Sequence, residues 1–299
     1  MKKLLKASLV ASLSLFLFNC SSDDSAIPTI EGPCPGPEPI EMEKTYYLST
    51  IEQNYYNEDE ESNKKFLLQV NYKLEYNPDF KLHRILYTDK GTTDNEVIRE
   101  QFLEMHHTLD TQGRLETFTL KDASDSAIVE EYTYTYTNDL LQSTKYDLVA
   151  QGGTFIANFQ YNENKQMMTN NALGANLLVD YSYNQINQID RFKVNGQGIK
   201  LTYDDKVSPF YNLPYDLTSL IINFNYVFPY TYKFPNNITS FAIGSEVADV
   251  DFTYNEGNLP TKAIYYDGKR EDNIIAFDVT YTYIVKETAI KPEDTPKTD

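Results

Sequence analysis

The sequence has no tryptophan, two cysteines, three histidines and far fewer bases than acids. Each shortage removes a class of function. Cys20 and Cys34 are too few for a disulfide framework. Of His83, His106 and His107, the adjacent pair would face opposite sides of a strand and could not close on one metal, and no HExxH-type cluster exists. No stretch resembles a nucleophile elbow. The 26 basic against 44 acidic residues leave a formal charge of -18. A surface this acidic repels phosphate backbones and anionic headgroups, so no nucleic-acid partner and no polybasic membrane attachment are expected. Apart from Leu4 to Phe18 there is no long apolar run. No catalytic residue, metal ligand or cofactor site is assigned.

What the chain does have is tyrosine, 25 of them beside 16 phenylalanines, and tyrosine with Thr, Val and Ile is strand composition. The aromatics fall in alternating runs. "VDYSY" (179–183), "VDFTY" (250–254), "FDVTYTY" (277–283) and "EYTYTYT" (131–137) each place apolar rings on one face and polar groups on the other. Period two with one apolar face predicts antiparallel strands with one side wet.

Between these runs a turn signature recurs. An Asn or Asp, usually after a tyrosine, is followed at plus three by a turn residue and at plus five by an apolar one. Asn77, Asp110, Asn162 and Asn184 head full copies; Asn138, Asn255 and the "PNN" before Ile238 read as shortened ones. Successive starts at Asn138, Asn162, Asn184 and Asp204 lie 20 to 24 residues apart, a period that fits two strands and two turns. "DKG" (89–91), "QGG" (151–153), "NGQG" (195–198) and "DGK" (267–269) supply further turn residues. The expected fold is all-β: a long antiparallel up-and-down meander of hairpins, curled into an extended sheet or an open, barrel-like one.

Met1 to Lys3 followed by the short apolar run and "LFNC" suits a signal peptide, too short for a membrane span. The stretch resembles a bacterial lipoprotein signal, with Cys20 as the lipidated first mature residue; the plainer reading is a signal peptide in which the cysteine is incidental. "CSSDDS" is similar to the start of many Bacteroidota lipoproteins, and that resemblance implies an export signal in Ser21, Ser22, Asp23 and Asp24. It also implies an outer-membrane lipoprotein displayed at the cell surface, with a periplasm-facing anchor as the alternative. The implied organisation is a signal peptide over 1–19, a lipidated cysteine and Pro-rich tether over 20–43, one β-repeat domain over 44–286, and a polar tail over 287–299. Cys34 sits in the tether, without a pocket that could activate it.

"LDTQGRL" (109–115) resembles the YD repeat of Rhs-type proteins, with Leu109 where the repeat has tyrosine. With "YDDKVSPF" and "YNEGNLPTKA" it resembles a family of Bacteroidota lipoproteins with YD-like hairpins and extended or porin-like sheets, over roughly residues 66–283. The resemblance implies fold and location and brings no catalytic residues. A membrane-spanning barrel is disfavoured by tyrosine rather than aliphatic faces, by the anchor signal, and by a charged tail lacking a terminal aromatic.

Three stretches remain as candidate sites. The acidic "NEDEES" (57–62) could hold a cation but lacks the ligand spacing of an EF-hand, and a solvated loop is the simpler reading. Asp24-Ser25-Ala26 and Asp125-Ser126-Ala127 match a short Bacteroidota O-glycosylation pattern, at a frequency chance alone would give. The longest break in the repeat, Tyr203 to Leu220, carries Asp204, Asp205, Phe210, Tyr211 and Tyr215. It reads either as a ligand-binding loop or, more simply, as a plug folding its aromatics over the core. The functional expectation is a binding or scaffold protein taking a glycan or protein ligand on tyrosine-rich surface, the lack of tryptophan weakening the glycan version. The alternative is an envelope or polysaccharide hydrolase whose carboxylates the sequence does not single out.

Overall fold

The computed structural model describes residues 42–58, 64–93, 96–149, 151–172, 177–222 and 228–289. Cys20, the Ser21–Asp24 stretch, Cys34, residues 59–62 of the acidic stretch and the tail beyond Ala289 lie outside the described residues. Sixteen antiparallel strands run in sequence order from β1 (Met42–Glu58) to β16 (Ile275–Ala289), each pairing with the next, and β16 pairs back onto β1 to close a barrel. The meander expected from the alternation is therefore present, and of the open and closed forms the closed one is adopted. Closure removes every free strand edge.

Alternation sets inside from outside. In β6 (Ile128–Thr137) Tyr132 and Tyr134 are buried, while Thr133, Thr135 and Thr137 face outward. In β10 (Leu177–Tyr183) Val179 and Tyr181 are buried. The outer wall is polar and charged. Arg84 on β3 (Leu82–Thr93) bridges Glu75 of β2 (Lys64–Tyr76) at 2.9 Å and Glu104 of β4 (Glu96–Leu109) at 2.8 Å. Lys145 and Lys262 pair with Asp147 and Asp278 on the same outer face. A lipid-facing wall would have to strip such groups of water, at about 2–4 kcal/mol for each midplane Arg or Lys. The barrel is built inside out relative to a membrane span, with its apolar face on the lumen.

A barrel of this strand number is wider than its own side chains can fill. The described parts of the segment between β12 (Gln197–Val207) and β13 (Asn236–Ile243), residues 208–222 and 228–235, supply the rest, with one helical turn α1 (Thr218–Ile221). Phe210, Tyr215, Leu217, Phe228, Tyr230 and Phe234 are buried in the common core. The Phe118 ring of β5 (Leu115–Asp122) lies 5.1 Å from Tyr215 and 4.8 Å from Tyr230, and Phe228 lies 5.1 Å from Phe192. Edge-on and tilted rings at these distances add to the burial of the rings themselves. The lumen is plugged.

The repeated turn is one geometry. The head residue's Oδ1 accepts the backbone N–H groups two and four residues on: Asp79 and Lys81 for Asn77, Gln112 and Arg114 for Asp110, Asn164 and Gln166 for Asn162, Ile186 and Gln188 for Asn184. The plus-three residue is left-handed in each: Phe80, Gly113, Lys165 and Asn187. Asn255, read from the sequence as shortened, is a full copy. Its Oδ1 accepts from Gly257 and Leu259, Asn258 has φ 56°, and the buried plus-five residue is Pro260. Among the copies read as shortened, Asn138 and Asp139 form a two-residue turn, both at positive φ. "DKG" is no turn: Asp89 to Gly91 lie within β3, with Asp89 buried.

Asp204 shows where the plug came in. Its Oδ1 accepts from Lys206 at plus two and then from the Asn237 N–H in the plus-four role. Residues 207–236 stand where other copies have one residue. The plug is an insertion into a repeat turn, at the barrel end that carries all the others.

Candidate functional site

The tyrosine before each turn holds neighbouring hairpins together. Its hydroxyl donates to the backbone carbonyl at the plus-five position of the preceding copy: Tyr136 to Leu115 at 2.8 Å, Tyr183 to Met167 at 3.0 Å, and Tyr203 to Ile189; Tyr283, within β16 and before no turn, makes the same bond to Pro260 at 2.8 Å. Tyr161 bonds the Leu141 backbone and Tyr76 donates to the Leu48 carbonyl at 2.7 Å across the closing strands. Tyr254 departs by donating to the Asp204 carboxylate. Burial raises these phenols, to about 12 for Tyr136, Tyr161 and Tyr183, so the hydroxyls remain protonated donors. At Leu109 the ring of tyrosines has no hydroxyl to offer.

A second lacing runs through the plus-four side chains. Arg114 covers the Tyr136 ring at 4.3 Å and reaches Asp139 at 3.1 Å; Gln166 donates to Asn187 at 2.9 Å, and Gln188 to Asn236. Lys81 holds the same position, and among the described residues its Nζ has no ion pair or hydrogen bond.

A cleft of about 630 Å³ opens beside Leu109 and Lys81. Tyr46, Tyr47, Tyr76, Phe80 and Tyr283 form its aromatic side; Pro209, Asn212, Pro214 and Lys233 of the plug form the other. Tyr47 lies 4.6 Å from Phe80 and 5.8 Å from Tyr76. Phe80 occupies the left-handed plus-three position at φ 57°, where the other copies have Gly, Lys or Asn. A bulky side chain there is an outlier with a conformational penalty. Lys286 Nζ lies over the Phe80 ring at 4.7 Å from its centroid, and Tyr47 packs against the same ring.

Polar groups converge from the plug side. Lys233 Nζ donates to the carbonyls of Leu213 and, at 3.2 Å, Tyr211; burial lowers its pKa. Below it Asp216 is fully buried and its carboxyl is pushed up to about 6 by desolvation, although Oδ1 accepts from Thr218 N–H at 2.7 Å and Oδ2 from Phe234 N–H at 2.9 Å. His107 lines the cleft with its ring 5.3 Å from Tyr215, and burial, then His83 and His106, lower its pKa. His106 points outward to Glu104 at 2.9 Å, so the adjacent histidines do face opposite sides.

The loop residues singled out from sequence are dispersed. Phe210 and Tyr215 are core, Asp204 is locked on Asn237 and Tyr254, and Tyr211 and Asp205 are exposed. The plug reading describes the segment, and the cleft lies along its flank. Ser126 is exposed in the turn before β6, with φ 61°. Among the described residues no group of three or more His, Cys, Asp or Glu side chains could hold a metal. Sequence reasoning missed the cleft because its aromatic wall comes from the Asn77 turn and both closing strands, with Leu109 and Leu259 added from two further turns. Two signals were visible: Leu for Tyr at 109, and Phe in a turn position that favours Gly or Asn.

No protein family matches the sequence, and no curated protein is similar to it by sequence. Among solved structures, the chain is similar to a porin-like protein from Bacteroides uniformis, at 14% identity and TM-score 0.52, over 79% of this chain and 98% of that one. A porin-like protein from Bacteroides vulgatus matches at 9% identity and TM-score 0.36, over 80% and 99%. A TcdB2–TccC3–Cdc42 chain matches at 11% identity and TM-score 0.31, over 78% of this chain and 14% of that one. The first of these shares the fold.

Proposed function

We propose that the chain is a lipid-anchored envelope protein whose plugged barrel binds a ligand at the repeat-turn end. The observation that carries the reading is the aromatic cleft at the one gap in the tyrosine ring, flanked by Leu109, Tyr47, Phe80 and the plug. A filled lumen offers no conduit, and a charged outer wall does not suit hydrocarbon, so a transport pore is the weaker use of this fold. The signal-like start with Cys20 supports the anchor, and the Ser21–Asp24 stretch supports display on the cell surface. The porin-like description of the Bacteroides uniformis structure is in keeping with an envelope setting. Paired-carboxylate hydrolysis is less favoured, because among the described residues no Asp or Glu lines this cleft.

A ligand that binds only the folded state raises the melting temperature with its concentration and is recovered unchanged. Screening the purified protein against glycans and envelope extracts by thermal shift, with product analysis, reads both. Leu109→Tyr is the diagnostic variant. Restoring the missing ring tyrosine should leave stability equal or higher and abolish the ligand-induced shift. Undiminished binding by Leu109→Tyr would place the site elsewhere.

A further inference from the structure

The cleft's charge runs against the chain's. Among the described residues no Asp or Glu lines it, whereas Lys81 and Lys233 do. The nearby carboxylates are engaged. Glu256 accepts from Lys44 at 2.5 Å and Tyr46 at 3.1 Å, Asp110 pairs with Arg114 at 2.6 Å, and Asp216 is capped by two backbone N–H groups beneath the plug. Lys81 is the one basic plus-four residue left without a partner among the described residues, and it stands next to Phe80.

Phe80 supplies an independent observation. Four other copies of the turn place Gly, Lys or Asn at this left-handed position. The chain accepts an unfavourable backbone conformation to hold an aromatic ring at the cleft, beside Tyr47. Such outliers, held in place by their surroundings, concentrate at ligand sites. A flat ring presents a face with negative charge density, suited to the C–H face of a sugar, while an adjacent ammonium suits a carboxylate at the sugar's edge.

We propose that the cleft takes an acidic oligosaccharide built from uronic acids, stacked on Phe80 and Tyr47 with its carboxylates toward Lys81 and Lys233. The assignment rests on the cleft being the binding site. An acidic peptide is the less suited occupant, because strand addition needs a free sheet edge and the closed barrel has none.

The test is calorimetric titration of the purified full chain with polygalacturonate, alginate and hyaluronan fragments, each beside its carboxyl-reduced form, and with an oligoglutamate peptide. At least one uronide should bind, more weakly at high salt, and its carboxyl-reduced form should not. Lys81→Glu should weaken that uronide roughly tenfold or more. Phe80→Asn should lose it while keeping the melting temperature near wild type, since Asn suits the left-handed turn. Equal binding of the carboxyl-reduced form, with loss in Phe80→Asn, would overturn the acidic assignment and leave the cleft as a glycan site. Preference for oligoglutamate would overturn it in favour of a protein partner. Binding that survives in Phe80→Asn and Leu109→Tyr would remove the cleft itself, and no binding of any uronide would end the proposal.

Discussion

At the scale of single residues, the repeated turn explains which substitutions the chain tolerates. Gly113 has φ 78°, and a Cβ built there meets nothing within 4 Å. The constraint is therefore conformational and not steric. Gly113→Asn should lose less than about 1 kcal/mol, as Asn187 and Asn258 already hold this position. Gly113→Val, β-branched, should lose about 1–2 kcal/mol, and Gln112→Val should stay within about 0.5 kcal/mol. Denaturant unfolding of the three variants checks the order; equal losses at 112 and 113 would mean a different register. Asp216 gives a pH dependence of defined sign. Its folded pKa, about 6, lies above the ordinary 3.8. Its contribution to stability is thus fully present below pH 3.8 and lost as the pH rises through about 6. The shift corresponds to roughly 3 kcal/mol at most. Carboxylates with lowered pKa values, such as the ion-paired Asp147 and Glu256, act in the opposite direction. The comparison with Asp216→Asn isolates the buried group: the wild type's advantage should shrink from pH 4 to pH 7.5. A gap that does not change with pH would show that the carboxyl is not desolvated.

At the scale of the hairpin, two kinds of tyrosine look alike in sequence and differ in the barrel. Tyr183 donates to the Met167 carbonyl, whereas the buried Tyr134 hydroxyl has no partner among the described residues. Tyr183→Phe should lose about 0.5–1.5 kcal/mol, and Tyr134→Phe should be neutral or stabilising, because it removes a desolvated hydroxyl. Thermal unfolding of the pair decides, and a larger loss at 134 would reverse the assignment. The alternation that marked Tyr132, Tyr134 and Tyr136 as one face was legible because every side chain of a strand follows period two. The turns were legible because an Asx head and a left-handed residue leave local signatures. Asn255 escaped because proline filled its apolar plus-five position, and Asp89 because a Gly nearby looked like a reversal. Closure, the plug's path and the cleft depend on contacts between residues far apart in sequence, such as Tyr76 with Leu48 and Lys233 with Leu213. No local pattern encodes them.

At the scale of the whole molecule, the account joins three parts: a barrel whose apolar face points inward, a plug inserted into one repeat turn, and an anchor proposed at Cys20. The barrel wall has Arg84, Glu104, Lys145 and Asp278 facing water, so it has no means of its own to enter a bilayer. An acidic chain of formal charge -18 is also repelled by anionic headgroups. On the proposed reading membrane attachment comes from lipid at Cys20, each buried CH₂ contributing about 0.8 kcal/mol and two or more acyl chains giving stable anchoring. The most direct measurement is detergent-phase partitioning of the wild type and Cys20→Ala, with circular dichroism and sedimentation of the variant in detergent-free buffer. The account predicts that wild-type protein enters the detergent phase, while Cys20→Ala stays in the aqueous phase, folded and rich in β-structure. A Cys20→Ala protein that still partitions into detergent, or that holds its fold only there, would contradict it and put the barrel wall in contact with lipid.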